Sequence, residues 1–505
     1  MNIARRSERK SVSHGTSHAK KLCPLPKLRW RPKQKAMSSE RVLGVVLLTR
    51  HGDRQGFYQS PDNYTPVQTA ITPLGLVQEY QLGQLIRSLY FNPSSPSVIS
   101  GISTGLFDQN QVRIRADAGG EGGVIYDSAV ALSQGLWPAA TAFNTTLANG
   151  TTVIAPLNGY QYAPIETVEP ETDVSLEGWT ECNTFTSATT AFYNSTEFKE
   201  MSDASADFLA SLRLIVGPDR PLKLTNMASP QNHCPVIQRE LTPIYDFLNV
   251  QSIHNQSLAQ QITPDILARA RVLANWHQYR TFSSPDTGGV GNIAGRTIIP
   301  DIVSSLNAFA NASQPLRFTY LSMSYKPFIS LFNMTEVASK YPQLQGIVDY
   351  ASAVTFELRQ STSGGPLSVR LNFKNGSDTG FTTYNMFGES QDIELAEFTS
   401  RLSPYAINDL NDWCTTCSNW KDRKCNLIAA ANTSTVVYQR IGVSSVGAGF
   451  IGAGVTVAVF LAALAVMAFM GLLTFGRKSR KERPMLPVLS RDNASSSGAG
   501  SVAEK

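Results

Sequence analysis

Apolar residues run almost unbroken from Leu43 to Leu48, then stop at Thr49 before Arg50, His51, Gly52, Asp53 and Arg54. The run is too short to span a bilayer. It predicts a strand buried on both faces, as inner strands of a parallel sheet are. Thr72 before Pro73 reads as an N-cap with proline at the first helical position, and Leu76, Tyr80, Gly83 and Ile86 keep helical spacing towards Tyr90. Such a helix is the crossover of a βαβ unit. Residues 111–115 alternate as a strand, and 126–136 read as a helix ending before Pro138. Residues 140–175 are rich in loop formers. From 185 to 280 the period turns mainly helical, over 198–214, 237–249 and 264–276. A glycine-rich connection at 288–295 precedes a helix at 297–311. Strands return at 317–323, 354–358 and 367–371, with a weaker one at 380–387. This order predicts an α/β fold: a mostly parallel sheet flanked by helices, with an inserted, mainly helical cap.

The chain has 505 residues, more than one core usually holds. The pattern divides it into a basic disordered arm over 1–40 and a folded body over 41–440. Within the body, the α/β core covers about 41–140 and 290–400, and the cap about 141–289. Residues 446–475 are apolar and uncharged, long enough for one transmembrane helix. Arg477, Lys478, Arg480, Lys481 and Arg483 follow at once. The positive-inside rule therefore places the tail, 476–505, in the cytosol and the body outside it or in a lumen. That tail is rich in serine and glycine and reads as disordered. Residues 1–40 lack the apolar core of a secretory signal, so either the anchor directs insertion or the chain starts elsewhere, for example at Met37.

The net charge of +5 is local. Eleven Lys and Arg lie in the first forty residues, and the other excess follows the apolar stretch. Without those clusters acidic residues outnumber basic ones, so the body carries no nucleic-acid footprint. Sequons at Asn63, Asn144, Asn149, Asn194, Asn255, Asn311, Asn333, Asn375 and Asn432 agree with a body outside the cytosol. There cysteines tend to oxidise. Cys414, Cys417 and Cys425 lack a fourth ligand for zinc, which favours a short-loop disulfide ending at Cys425; Cys182 with Cys234 is a reasonable second bridge.

The chemistry gathers at the end of the first strand, where ligands sit in open α/β sheets. Two guanidiniums beside an imidazole make a phosphate site with a possible nucleophile. The run Arg50-His51-Gly52-Asp53-Arg54 resembles the signature of the histidine acid phosphatases, the phosphomonoesterase and phytase branch of the phosphoglycerate-mutase-like superfamily. The stretch from Ile71 through Gly83 to Arg87 looks like the family's Thr-x-x-Gly…Gly helix. Ser128-Ala129 with Gly135-Leu136-Trp137-Pro138 looks like its Ser-Ala…Gly-Leu-x-Pro helix. Tyr350 to Leu358 and Val369 to Asn372 look like its late strands. The resemblance spans about 41–420.

It implies a phosphomonoesterase without metal or organic cofactor, whose partner is a small phosphorylated substrate. His51 would attack phosphorus, Arg50 and Arg54 would hold the phosphoryl oxygens, and Gly52 would allow close backbone approach. The family's third arginine, four residues before its Ser-Ala pair, falls on Val124; Arg113 or Arg115 on the preceding strand is the nearest substitute. Its later His-Asp or His-Ala-Glu motif, which binds phosphate and protonates the leaving alcohol, falls on Ser324 and Tyr325. Asp53 or Glu121 could then supply a proton, and Lys326 could replace the missing cation. Three readings remain open: a working phosphatase impaired on alkyl esters, an inactive pseudophosphatase holding a phosphorylated or anionic ligand, and a surface glycoprotein with a vestigial pocket.

Overall fold

The computed structural model describes residues 40–56, 69–217, 221–228, 243–388, 390–431, 456–467 and 470. Residues 40–426 belong to one compact unit and those from 427 onward to a second.

The first unit is built on one twisted sheet. Strands β1 (Glu40–Arg50), β2 (Val112–Asp117), β5 (Glu166–Val168), β6 (Phe318–Met323), β7 (Ala353–Ser361), β8 (Ser368–Lys374) and β10 (Asp392–Glu394) lie in the order β10-β8-β7-β1-β6-β2-β5, and β9 (Thr382–Tyr384) pairs with β8. A small hairpin, β3 (Asn144–Thr146) and β4 (Thr152–Ile154), stands apart.

The sheet is mixed, not mostly parallel. β1, β6, β2 and β5 run parallel, but β7, β8, β9 and β10 pair antiparallel. The cause is local. After β6 the chain makes the helix Lys326–Met334 and re-enters the sheet at the end it left, with Ala353 opposite Thr49. A return at the same end must run antiparallel.

β1 is central and buried on both faces. Val45 and Leu47 share a core with Leu82, Ile86 and Leu132. On the other face, a Cβ at Gly44 would lie 2.3 Å from the Phe309 ring of the helix Ile299–Ala310. Helices α1 (Pro73–Tyr90) and α2 (Gly122–Leu136) cover the first face. Thr72 caps α1 as expected, its hydroxyl accepting from Gly75 N. The two helices meet at glycines. A Cβ at Gly83 would lie 2.1 Å from Leu132 O, and one at Gly135 2.2 Å from Tyr80 O.

The cap includes the helices Asn183–Asn194, Thr196–Ser211, Ile244–His254 and Pro264–Phe282. It begins later than 141, because β5 joins the edge of the sheet, with Arg115 opposite Glu166 and Asp117 opposite Val168. Cys182 bonds to Cys417, not to Cys234, which lies outside the described residues; Cys414 bonds to Cys425, the expected short loop. The long-range bridge fits its surroundings, since Trp413 Nε1 donates to Gly178 O (2.7 Å) and the segments before both cysteines are already joined.

Of the proposed anchor, residues 456–467 are described and helical and residue 470 is described, and the rest lies outside the described residues, as do residues 1–39 and the tail 476–505. Among the described residues no helix is long and apolar enough to cross a membrane. Asn144, Asn149, Asn194 and Asn311 are exposed. Asn255, Asn333 and Asn375 are half-buried and hydrogen-bonded: Asn255 caps a helix, Asn333 donates to Ser284 O, and Asn375 accepts from Asp349 N. Asn333 uses on the fold the nitrogen a glycan would take, as the exposed Asn144 and Asn194 do towards Thr141 O and Thr190 O. Asn63 and Asn432 lie outside the described residues.

Candidate active site

The site lies where β1 leaves the sheet. Arg50 N donates to Ser352 O (2.9 Å) and His51 N to Met323 O (3.2 Å), so the signature starts pinned between β7 and β6. Gly52 N donates to Ser128 Oγ on α2 (3.1 Å). A Cβ on Gly52 would lie 2.5 Å from Gly75 O, and one on Gly75 2.1 Å from Asp53 O. The glycine therefore serves close approach to the first turn of α1.

His51 is fully buried, with Nδ1 2.8 Å from Gly52 O. A carbonyl only accepts, so Nδ1 carries the proton and the neutral ring keeps its lone pair on Nε2. Burial holds the imidazole below its ordinary 6.5, outweighing the pull of Glu121. Glu121 Oε2 stands 3.4 Å from His51 Nε2, and its Oε1 2.8 Å from Arg54 Nε. Burial opposes ionisation of Glu121, but Arg54 and then His51 hold the carboxyl well below the usual carboxylate range. This acid is the residue before α2, and its side chain makes no helix-capping bond. It faces His51 and Arg54 instead.

Arg54 is also held by Asp246 Oδ1 (2.9 Å), from the cap helix Ile244–His254. Arg50 donates to Val348 O and lies over the Tyr350 and Tyr325 rings at 4.3 and 5.2 Å. Both arginines and both tyrosines line a cleft of about 690 Å³.

The other expected members are placed differently. Asp53 is buried, its Oδ2 accepting from Thr72 and lying 2.7 Å from His254 Nε2. It braces α1 and the cap. Arg115 is held by Glu166, Asp173 and Asp301 and lines a separate depression with Arg113, away from Arg50 and Arg54. Lys326 lies over the Trp179 ring (4.9 Å), and its charge acts on Asp117 and Glu121. Ser324 is buried, with no partner for Oγ among the described residues, while Tyr325 donates to Gln278 Oε1 (3.1 Å). Asp117 ends β2, the strand beside β6. Burial, then Glu177, pushes its carboxyl well above the usual range.

No family model matches the chain. Over 392 residues it is 23% identical to the lysosomal acid phosphatase of Xenopus laevis, covering 75% of this chain and 80% of that protein. Over 380 residues it is 22% identical to the prostatic acid phosphatase of Bos taurus, covering 73% and 87%. Its homologues are histidine acid phosphatases. Among solved structures, the Hafnia alvei phytase in complex with tartrate covers 76% of this chain and 99% of its own at 12% identity, with a TM-score of 0.49.

Against the pattern expected of a histidine acid phosphatase, the first motif is intact. Val124, at the place of the third arginine, is buried in the core. No carboxyl stands at the end of β6. The parts that sequence reasoning missed come from distant segments. Asp246 and His254 arrive on a cap helix, whose sequence carries no spacing that ties it to residue 54. Ser128 was visible only as half of a Ser-Ala pair, and here it binds the signature backbone directly.

Proposed function

We propose that this chain hydrolyses phosphomonoesters through a phosphohistidine at His51. One observation carries the reading: a buried, neutral imidazole whose Nδ1–H is spent on Gly52 O, leaving the Nε2 lone pair within the field of Arg50 and Arg54. Nε2 attacks phosphorus as the bond to the leaving alcohol breaks. Arg50 and Arg54 balance the charge on the phosphoryl oxygens. Water then cleaves the phosphorus–nitrogen bond, freeing phosphate and restoring the ring. The acid phosphatase names of the homologues support this chemistry. Glu121 is the favoured proton carrier to the leaving oxygen, because Asp53 is tied to Thr72 and His254. A phosphoryl dianion arriving beside Glu121 raises its proton affinity by like-charge repulsion.

The second reading is a pseudophosphatase that binds without turnover, favoured by the missing carboxyl at the end of β6 and by the Ser324 hydroxyl, unpartnered among the described residues. One comparison decides. The full-length chain is offered an aryl and an alkyl phosphate at acidic pH, beside His51→Ala. We expect aryl turnover that His51→Ala abolishes, and alkyl turnover lower by about 10²–10⁴-fold, because Arg54 and His51 hold Glu121 ionised and it delivers a proton poorly. No aryl turnover, with inorganic phosphate still raising Tm, selects the second reading.

We also place the body outside the cytosol, carrying glycans and held by one helix within 446–475. The apolar stretch, the basic residues after it, two disulfides and four exposed sequons support this. Resistance of the chain to alkaline extraction from membranes, together with a mass shift on deglycosylation, tests it.

A further inference from the structure

A proton delivered by Glu121 needs a source, because Arg54 and His51 hold that carboxyl ionised. The strand ends supply one. Arg50 on β1 lies opposite Met323 on β6, and Ala116 on β2 lies opposite Ser322. Asp117 is therefore level with Met323, and the three strands stop at one height. Asp117 is fully buried. Its Oδ1 accepts from Gly119 N (2.9 Å), and its Oδ2 has no partner among the described residues. Glu177 Oε1 accepts from the next amide, Gly120 N (3.2 Å), and its Oε2 from Thr180 Oγ1 (3.2 Å). A glycine is needed for that approach, since a Cβ at Gly119 would lie 2.3 Å from Glu177 Oε2. Two carboxyls thus grip consecutive amides of the turn, and Glu121 is the next residue. The charges that act on Asp117 are those of Glu177 and Glu121, opposed by Lys326 and Arg423. Burial and then Glu177 favour a proton on Asp117, while Arg54 and His51 keep one off Glu121. Neighbouring carboxyls whose surroundings push their proton affinities apart suit an acid and its acceptor.

We propose that Asp117 holds the proton that Glu121 passes to the leaving oxygen, so that β2 supplies what the end of β6 lacks. This inference rests on the phosphatase reading above. Asp117 acts through Glu121 and does not touch substrate. As the phosphoryl dianion arrives and repels the charge on Glu121, the O–H bond at Asp117 breaks and one forms at Glu121. Glu121 then protonates the leaving oxygen as its bond to phosphorus breaks. The water that later cleaves the phosphorus–nitrogen bond gives a proton to Glu121, which returns it to Asp117. Over the cycle both carboxyls are unchanged.

Asp117→Asn in the full-length chain keeps an oxygen for Gly119 N and removes the proton. We expect the ratio of alkyl to aryl kcat/KM to fall about tenfold or more, since a good leaving group needs little protonation. In Glu121→Gln the same change should leave that ratio where it is, because the two residues act in series. Glu177→Gln keeps an oxygen for Gly120 N but removes the like charge, so Asp117 gives up its proton more readily. The alkaline fall of the alkyl-to-aryl ratio should then move to lower pH. Equal losses on both esters, or a ratio unmoved by Asp117→Asn and Glu177→Gln, overturns the proposal and leaves Asp117 a structural anchor of the turn. The proton is also read without turnover. The infrared difference between wild type and Asp117→Asn at pH 7 should show the carbonyl stretch of a protonated carboxyl. Inorganic phosphate should shift that band in wild type and not in Glu121→Gln. Absence of the band, or a band that phosphate leaves in place while the esters turn over, overturns the proposal. A band that shifts in a chain that hydrolyses neither ester upholds the transfer from Asp117 to Glu121 and overturns the phosphatase reading instead.

Discussion

Glu121 is the residue that changes most between sequence and structure. In sequence it is one acid in a glycine-rich stretch; in the fold its carboxylate lies against both His51, the proposed nucleophile, and Arg54. A phosphoryl group reaching His51 Nε2 has to displace it. Two unit charges 4 Å apart interact by about 4 kcal/mol at an effective dielectric of 20, and about 1.4 kcal/mol is a tenfold change in affinity. Glu121→Gln is therefore expected to tighten inorganic phosphate at least tenfold, measured by calorimetry or by Tm against phosphate. Unchanged affinity would mean that the carboxylate does not compete for the seat. His51, Arg50 and Arg54 were legible because they form one contiguous motif at one strand end. Arg115 was misleading because its three carboxylates, Glu166, Asp173 and Asp301, lie 51 to 186 residues away, and no local pattern reveals that it is already paired.

Among the elements, α1 and α2 are the clearest case of sequence fixing geometry. Gly83 and Gly135 face each other's backbone, so the helices approach until carbonyls occupy the space of a Cβ. That approach brings Ser128 to Gly52 N and lets the first turn of α1 meet the signature. Gly135→Ala has no flexible side chain to push aside, only Tyr80 O and the Gln84 and Gly83 backbone. We expect a loss of roughly 1–3 kcal/mol in stability, as for overpacking, although alanine favours the helical state. Urea unfolding checks it, and an unchanged midpoint would show that the helices can part freely. Strand identity was readable from apolar runs, but strand direction was not. Whether β7 runs parallel or antiparallel depends on where the chain re-enters the sheet, and that follows from the length and packing of 324–352, not from any period within β7. β5 escaped notice for a similar reason, since three residues carry too little alternation to stand out from loop.

At the scale of the whole molecule, core and cap form one unit closed by a covalent link. The Cys182–Cys417 bridge spans 235 residues, worth up to about 5 kcal/mol in the chain-entropy model. It could not be read from spacing, because pairing over such a distance is decided by the fold. The unit also carries an opposing, pH-dependent term. His277 is buried in the cap among Phe192, Tyr193, Phe198 and Trp276. Its Nδ1 accepts from Gln278 Nε2 (3.1 Å), and its Nε2 lies 3.0 Å from the Tyr193 hydroxyl. Burial pushes its pKa from 6.5 down to about 4. The unfolded chain therefore binds a proton at this histidine below pH 6.5, while the folded chain stays neutral there until about pH 4. Stability from this site is complete above pH 6.5 and drains away as the pH falls towards 4, by roughly 3 kcal/mol in all. His51 acts with the same sign, since burial lowers its pKa too. His277→Gln removes the titrating group at similar size. The fall in unfolding free energy between pH 7 and pH 4, read from urea titrations of the disulfide-intact chain, should then shrink by most of that amount. A wild-type fall that persists undiminished in His277→Gln would place the acid sensitivity elsewhere, with His51 the first group to test.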